Sequence, residues 1–135
     1  MLTSLRIQNF KAWKDTGPLR LAPLTVIFGT NSSGKSSLGH LLLALKQTVQ
    51  MADRKRALHL GDEKALIDLG TFADCLYGHD DKRTLEFTLG WKTPSAVAVS
   101  DALTKEQYKG NELKLSAKLN ADRNTQPQTT EISYA

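Results

Sequence analysis

Leu24-Thr25-Val26-Ile27-Phe28-Gly29-Thr30-Asn31-Ser32-Ser33-Gly34-Lys35-Ser36-Ser37 is the stretch of this 135-residue chain on which the fold turns. Leu24 to Phe28 is a nearly unbroken apolar run, the pattern of a strand buried on both faces. Gly29 to Gly34 is a polar loop containing glycine. From Lys35 a helix is expected to about Ala52, because Leu38, Leu41, Leu42, Leu45 and Val49 recur at three- and four-residue spacing. The local order is therefore buried strand, glycine loop, amphipathic helix.

The loop carries a chemical signature. Gly29-Thr30-Asn31-Ser32-Ser33-Gly34-Lys35-Ser36 fits the pattern G-x-x-x-x-G-K-[ST]. Its glycines admit backbone conformations closed to other residues, so that successive N–H groups turn inward around a phosphate. The N-terminus of the following helix faces the same anion. Lys35 is placed to reach the β- and γ-phosphates of a nucleotide, and the Ser36 hydroxyl to ligate Mg²⁺ beside phosphate oxygens and water. Average residue usage produces these four fixed positions by chance on the order of once in a few hundred chains of this length. The strand before and the helix after make coincidence rarer still.

Outward toward the N-terminus, Leu2 to Asn9 places Leu5 and Ile7 on one face and reads as a strand. Thr16-Gly17-Pro18 marks a turn, and Leu19-Arg20-Leu21 alternates again before Pro23. Two candidate strands thus precede the one that feeds the loop, which predicts an antiparallel unit leaning on the nucleotide core. Phe10, Trp13 and Lys14 read as packing beside the first strand, with stacking on a base as the alternative. Outward toward the C-terminus, Arg54-Lys55-Arg56 suits the helix end, where cations meet the dipole. Ile67 to Gly70 is a short strand or turn, and Thr71 is a candidate N-cap for a helix reaching Tyr77. Arg83 to Trp91 and Asn111 to Leu119 alternate as half-buried strands, and Glu131 to Tyr134 begins another. Segments 92–110 and 120–130 are polar and read as loops.

Composition limits the classes. Hydrophobic residues make up 40% and charged residues 24%, the balance of a globular domain. No apolar run reaches the length of a membrane span, and the first residues lack a signal-peptide pattern, so the expected compartment is the cytoplasm. A single cysteine, Cys75, forms neither an internal disulfide nor a metal cluster and reads as a small buried apolar residue. His40, His59 and His79 have no ligand partners at metal spacing; His79 reads as a loop residue and possible contact point. The net charge of +4 is unevenly spread. Residues 1–60 hold nine Lys/Arg against two Asp/Glu, and residues 61–135 hold nine against twelve. A basic first part suits phosphate ligands, free or in nucleic acid.

Leu5-Arg6-Ile7-Gln8-Asn9-Phe10-Lys11, followed by Phe28-Gly29-Thr30-Asn31-Ser32-Ser33-Gly34-Lys35-Ser36-Ser37, resembles the opening of an ABC-type ATPase head. The similarity is to the SMC-like, RecF-like and OLD-like AAA-family ATPases of bacteria. Asp68-Leu69-Gly70-Thr71-Phe72-Ala73-Asp74-Cys75-Leu76-Tyr77 is similar to one branch of them. The resemblance implies an α/β fold, a P-loop NTPase head with an antiparallel β subdomain. Residues 1–52 would hold the first strands, the P-loop and the first helix; residues 53–135 would be the strand-rich subdomain. It also implies nucleotide contacts from Lys11, Gly29 and Asn31 through Ser37, with Ser36 on the metal and ATP and Mg²⁺ as ligands. Gln47 sits in a place open to confusion with the Mg²⁺-contacting glutamine of ABC enzymes. About three helical turns separate it from Ser36, so it reads as a helix-surface residue.

Hydrolysis in such heads needs more than the loop. It needs an apolar strand ending in Asp-Glu, for Mg²⁺ and the attacking water, and a Ser-Gly-Gly-type signature that completes a partner's site. Asp62-Glu63 follows too short and broken a run and reads as an exposed turn, and no signature occurs. The expectation is therefore the Walker A half of an ATPase, with hydrolysis requiring the rest of the head and a homodimer or larger assembly. Family resemblance implies DNA metabolism or anti-phage defence, with DNA or an associated nuclease or effector as a partner and no membrane. Two other readings stand beside it: a non-hydrolysing nucleotide-binding scaffold of a defence or toxin complex, and a nucleic-acid-binding module whose loop holds a backbone phosphate.

Overall fold

In the computed structural model, which describes residues 1–52 and 55–135, the backbone is dominated by one antiparallel sheet. Strand β1 spans Leu2–Phe10, β2 Trp13–Asp15 and β3 Leu19–Arg20. Helix α1 spans Lys35–Gln50, and a single helical turn, α2, spans Phe72–Cys75, with a 3-10 turn at Tyr77–His79 after it. Three longer strands close the chain: β4 (Leu85–Ser100), β5 (Gln107–Ala121) and β6 (Pro127–Tyr134). The sheet order is β2-β1-β4-β5-β6, with β3 also pairing β1, and every pair is antiparallel.

Register explains the core. Leu5 pairs with Leu89 and Ile7 with Phe87, while Leu85 and Phe87 pair with Leu119 and Ala117. The alternation read in β1, β4 and β5 thus brings one apolar row across three strands. Leu38, Leu41 and Ala44 of α1 join this row in a single cluster, together with Leu58, Leu69, Phe72, Cys75 and Leu76 from the segment after the helix. Burial of side chains such as Ile7 and Leu41, both fully enclosed, contributes about 2 kcal/mol each. The Arg6 guanidinium donates to both carboxylate oxygens of Asp15, at 3.1 and 2.7 Å, tying β1 to β2. That fork, reinforced by the Gly17 N–H, holds the Asp15 carboxyl down at about 2.

Several expectations are corrected. Leu24–Phe28 forms no strand: the segment is unpaired, with Leu24 82% and Phe28 88% exposed. A strand buried on both faces needs strands to pair with at its edges and a layer packed on each face, and the described strands all pair elsewhere. The fold is accordingly a mostly antiparallel sheet with few helices. The first helix stops at Gln50 with no basic residue in its last turn, so Lys55 and Arg56 lie beyond it, and Arg54 lies outside the described residues. Val49, read as part of the apolar stripe, is 86% exposed; Ala44 takes its place in the core. The polar segments 92–110 and 120–130 are largely strand, with short turns at 101–106 and 122–126. Backbone pairing in a solvated hairpin does not require apolar side chains, which is why composition read these residues as loop.

Gln47 is the other correction. It is buried rather than on the helix surface. Its Nε2 donates to the carbonyls of His59 (2.7 Å) and Ile67 (3.1 Å), and its Oε1 accepts from the Ile67 N–H at 3.1 Å. One turn-mate, Thr48, accepts from the His59 N–H at 2.8 Å. The chain after α1 folds back across the helix, and these two side chains satisfy backbone groups that would otherwise be buried without partners. The expected N-cap at Thr71 is present, with a full capping box to Asp74. Asp62-Glu63 lies exposed in a turn region, as read from the sequence. No helix among the described residues is long and apolar enough to cross a membrane.

Candidate functional site

Gly34 anchors the site. It has φ +90°, a left-handed conformation that a side chain would strain, and it is the N-cap of α1. No side chain caps the helix, and its first turn holds no acidic residue. The Ser37 N–H donates to Gly34 O at 3.1 Å, and no side chain takes the N–H groups before it, the arrangement of a helix N-terminus that can receive an anion. The loop before it closes on itself: the Ser33 N–H donates to Thr30 O at 3.4 Å, and Ser32 takes φ +62°. The Lys35 ammonium donates to Gly29 O at 2.8 Å and to Thr30 O at 2.5 Å. The cation is thus held over the loop by its own carbonyls.

The β1–β2 turn braces this arrangement. Trp13 Nε1 donates to Gly34 O at 2.9 Å. A Cβ on Gly34 would stand 3.0 Å from that of Ala12. On its other side the turn grips the segment around α2. The Lys11 N–H donates to Cys75 O at 2.7 Å, the Lys11 ammonium reaches Leu69 O at 3.4 Å, and Phe10 bridges to Leu76. Lys11 takes φ +51° to do this. Between the loop and the α2 segment lies a cavity of about 640 Å³, within the range of small-molecule sites.

Lys11, Asn31, Ser32, Gly34, Lys35, Ser36 and Ser37 all line that cavity. Gly29 and Ser33, also expected to contact nucleotide, line a neighbouring apolar groove instead, shared with Trp13, Val26, Ile27 and Phe28. His79 lines the cavity; Phe10 is fully buried and Trp13 is engaged with Gly34, so both pack within the fold. Cys75 is buried, and burial pushes its thiol up to about 11, which leaves it unreactive at neutral pH. His59 is enclosed, its Nδ1 accepting from the Gly61 N–H at 3.2 Å. Among the described residues no three His, Cys, Asp or Glu side chains group to hold a metal. The one side-chain oxygen expected to ligate Mg²⁺ is the Ser36 hydroxyl, which suits an ion arriving with phosphate oxygens and water as its other ligands; the Lys35 ammonium faces the phosphates and not the metal.

Asp74 and Gly78 also line the cavity and were not read as site residues from the sequence. The capping box at Thr71 was visible as a local signal. What carries Asp74 to the loop is the long-range grip of the β1–β2 turn, which no local pattern announces.

No curated protein matches the chain. The profile of the AAA ATPase domain matches residues 1–131, nearly the whole length. With a G-x-x-x-x-G-K-[ST] loop at the mouth of its cavity, the chain belongs to the AAA ATPase domain family, whose members bind nucleotide.

Proposed function

We propose that the chain binds ATP·Mg²⁺ through the Walker A loop Gly29–Ser36, with Ser37 and Lys11 at its margins. The observation that carries this reading is the cavity in which Asn31, Ser32, Gly34, Lys35, Ser36 and Ser37 converge before an uncapped helix N-terminus. Backbone N–H groups of the loop and first helical turn receive the phosphates. Lys35 exchanges the carbonyls of Gly29 and Thr30 for phosphate oxygens, trading two neutral acceptors for charged ones. The Ser36 hydroxyl serves as the protein ligand of Mg²⁺, which supplies charge neutralisation at the phosphates when bound. Gly29 opens the loop, and with Ser33 it lines the groove beside the cavity.

The exposed Leu24–Phe28 run supports a second part of the reading. We infer that it is the strand of a nucleotide core whose remaining strands come from further polypeptide, as in an ABC-type head. Hydrolysis then depends on an Asp-Glu strand and a signature motif supplied by that polypeptide and by a second head. DNA metabolism or anti-phage defence is the setting that the sequence resemblance supports.

Calorimetric titration of the purified chain with ATP·Mg²⁺ tests the binding claim. Saturable binding, weakened at least about tenfold in Lys35→Ala by loss of a charge-assisted contact, is expected. No binding by the folded wild-type chain at millimolar ATP, or equal binding by Lys35→Ala, overturns it. Affinity for DNA in place of ATP would favour the backbone-phosphate reading.

A further inference from the structure

The cavity has a polar wall that the phosphate loop leaves without a task. Asp74, Gly78 and His79 form it, and the β1–β2 turn fixes its place. Ala12 and Trp13 abut Gly34 on one side of that turn, while Lys11 and Phe10 hold Cys75 and Leu76 on the other. The phosphate loop and the Asp74 wall are therefore two flanks of one space.

The two oxygens of Asp74 differ. Oδ2 closes the capping box, accepting from the Thr71 N–H at 2.9 Å and the Thr71 hydroxyl at 2.7 Å. Those bonds lower the carboxyl below its usual range, so the group is ionised at neutral pH. Oδ1 makes no hydrogen bond among the described residues; His79 Nδ1 stands 3.9 Å away, beyond hydrogen-bonding distance. The residue is thus tied to Thr71 by one oxygen, while the other has no hydrogen-bond partner among the described residues in a half-exposed side chain that lines the cavity.

An ionised acceptor there has a narrow set of partners. Phosphate oxygens repel it, and the phosphate loop is on the opposite flank, with Lys11 as the cation on Asp74's own side. Hydroxyl donors suit it. A nucleotide presents its anionic end to the loop and, beyond it, the two hydroxyls of a ribose. Carboxylates read ribose hydroxyls in other nucleotide-binding folds for the same reason. We propose that Asp74 Oδ1 accepts a hydrogen bond from a ribose hydroxyl of the nucleoside triphosphate held at Gly34–Ser37, making this chain selective for ribonucleotides over deoxyribonucleotides. The proposal rests on the nucleotide reading of the loop and adds the nucleoside end of the same site.

The test is calorimetry on the whole chain with four Mg²⁺-loaded ligands: ATP, 2′-deoxy-ATP, 3′-deoxy-ATP and inorganic tripolyphosphate. Wild type should bind ATP about tenfold more tightly than at least one deoxy analogue, the loss expected for one charged hydrogen bond. Asp74→Asn keeps an oxygen for the Thr71 N–H and should bring that ratio to within about twofold, with tripolyphosphate bound as well as or better than by wild type. A wild-type ratio near one, or a ratio preserved in Asp74→Asn, overturns the proposal while ATP binding itself survives. Failure of ATP and tripolyphosphate alike on wild type overturns the loop reading and this proposal with it. Should Asp74→Asn show no thermal unfolding transition, Asp74→Ser, which keeps a hydroxyl oxygen at the same position and removes the carboxylate, takes its place under the same criteria.

Discussion

A methyl group on Gly34 would stand 2.8 Å from Trp13 Nε1, at a backbone φ of +90°. Space and conformation both demand glycine there, and the indole donates to the carbonyl of the same residue. Trp13 is in this sense a positioning residue for the loop. Trp13→Phe keeps an aromatic ring and removes the donor. It should cost about 1 kcal/mol of stability and weaken ATP·Mg²⁺ binding about fivefold, measured by thermal unfolding and calorimetry on the same sample. An affinity equal to wild type would show that the brace does not order the loop. The sequence announced Gly34 and Lys35 plainly, because four fixed positions in eight residues carry the phosphate chemistry. It gave no sign of Trp13's bond to Gly34, since β1–β2 and the loop are distant in the chain.

Helix α1 shows the same division at the scale of an element. Its existence and start were legible from the three- and four-residue leucine spacing, and Leu38 and Leu41 are in the core as that spacing predicts. Periodicity says which face is inward but not what polar work a side chain on that face performs. Gln47 is buried because the chain after α1 returns across the helix and presents the backbone of His59 and Ile67 to it. Gln47→Leu leaves those groups without partners and should destabilise the fold by about 3 kcal/mol in chemical denaturation. A change under about 0.5 kcal/mol would mean that the returning segment does not depend on this clamp. Strand β4 was legible as far as Trp91, where its inward face is apolar. The solvated continuation to Ser100 was not, because hydropathy carries no signal there.

Among the described residues, the antiparallel sheet, helix α1 and a tethered return segment that carries α2 build a cavity at the α1 N-terminus. The antiparallel character was legible in the alternation of three strands. The apolar run Leu24–Phe28 was read as a buried strand and is not one, since pairing is decided by neighbours and not by the run itself. The central claim is that a nucleoside triphosphate enters the cavity between the loop and the Asp74 wall. Amide chemical shifts of the ¹⁵N-labelled chain, followed during titration with ATP·Mg²⁺, test it most directly. Large, saturable changes at Asn31–Ser37 and at Asp74–His79, with the β5–β6 turn at 122–126 unmoved, are the predicted result. Saturable changes that bypass residues 31–37, or none at millimolar nucleotide, would contradict it.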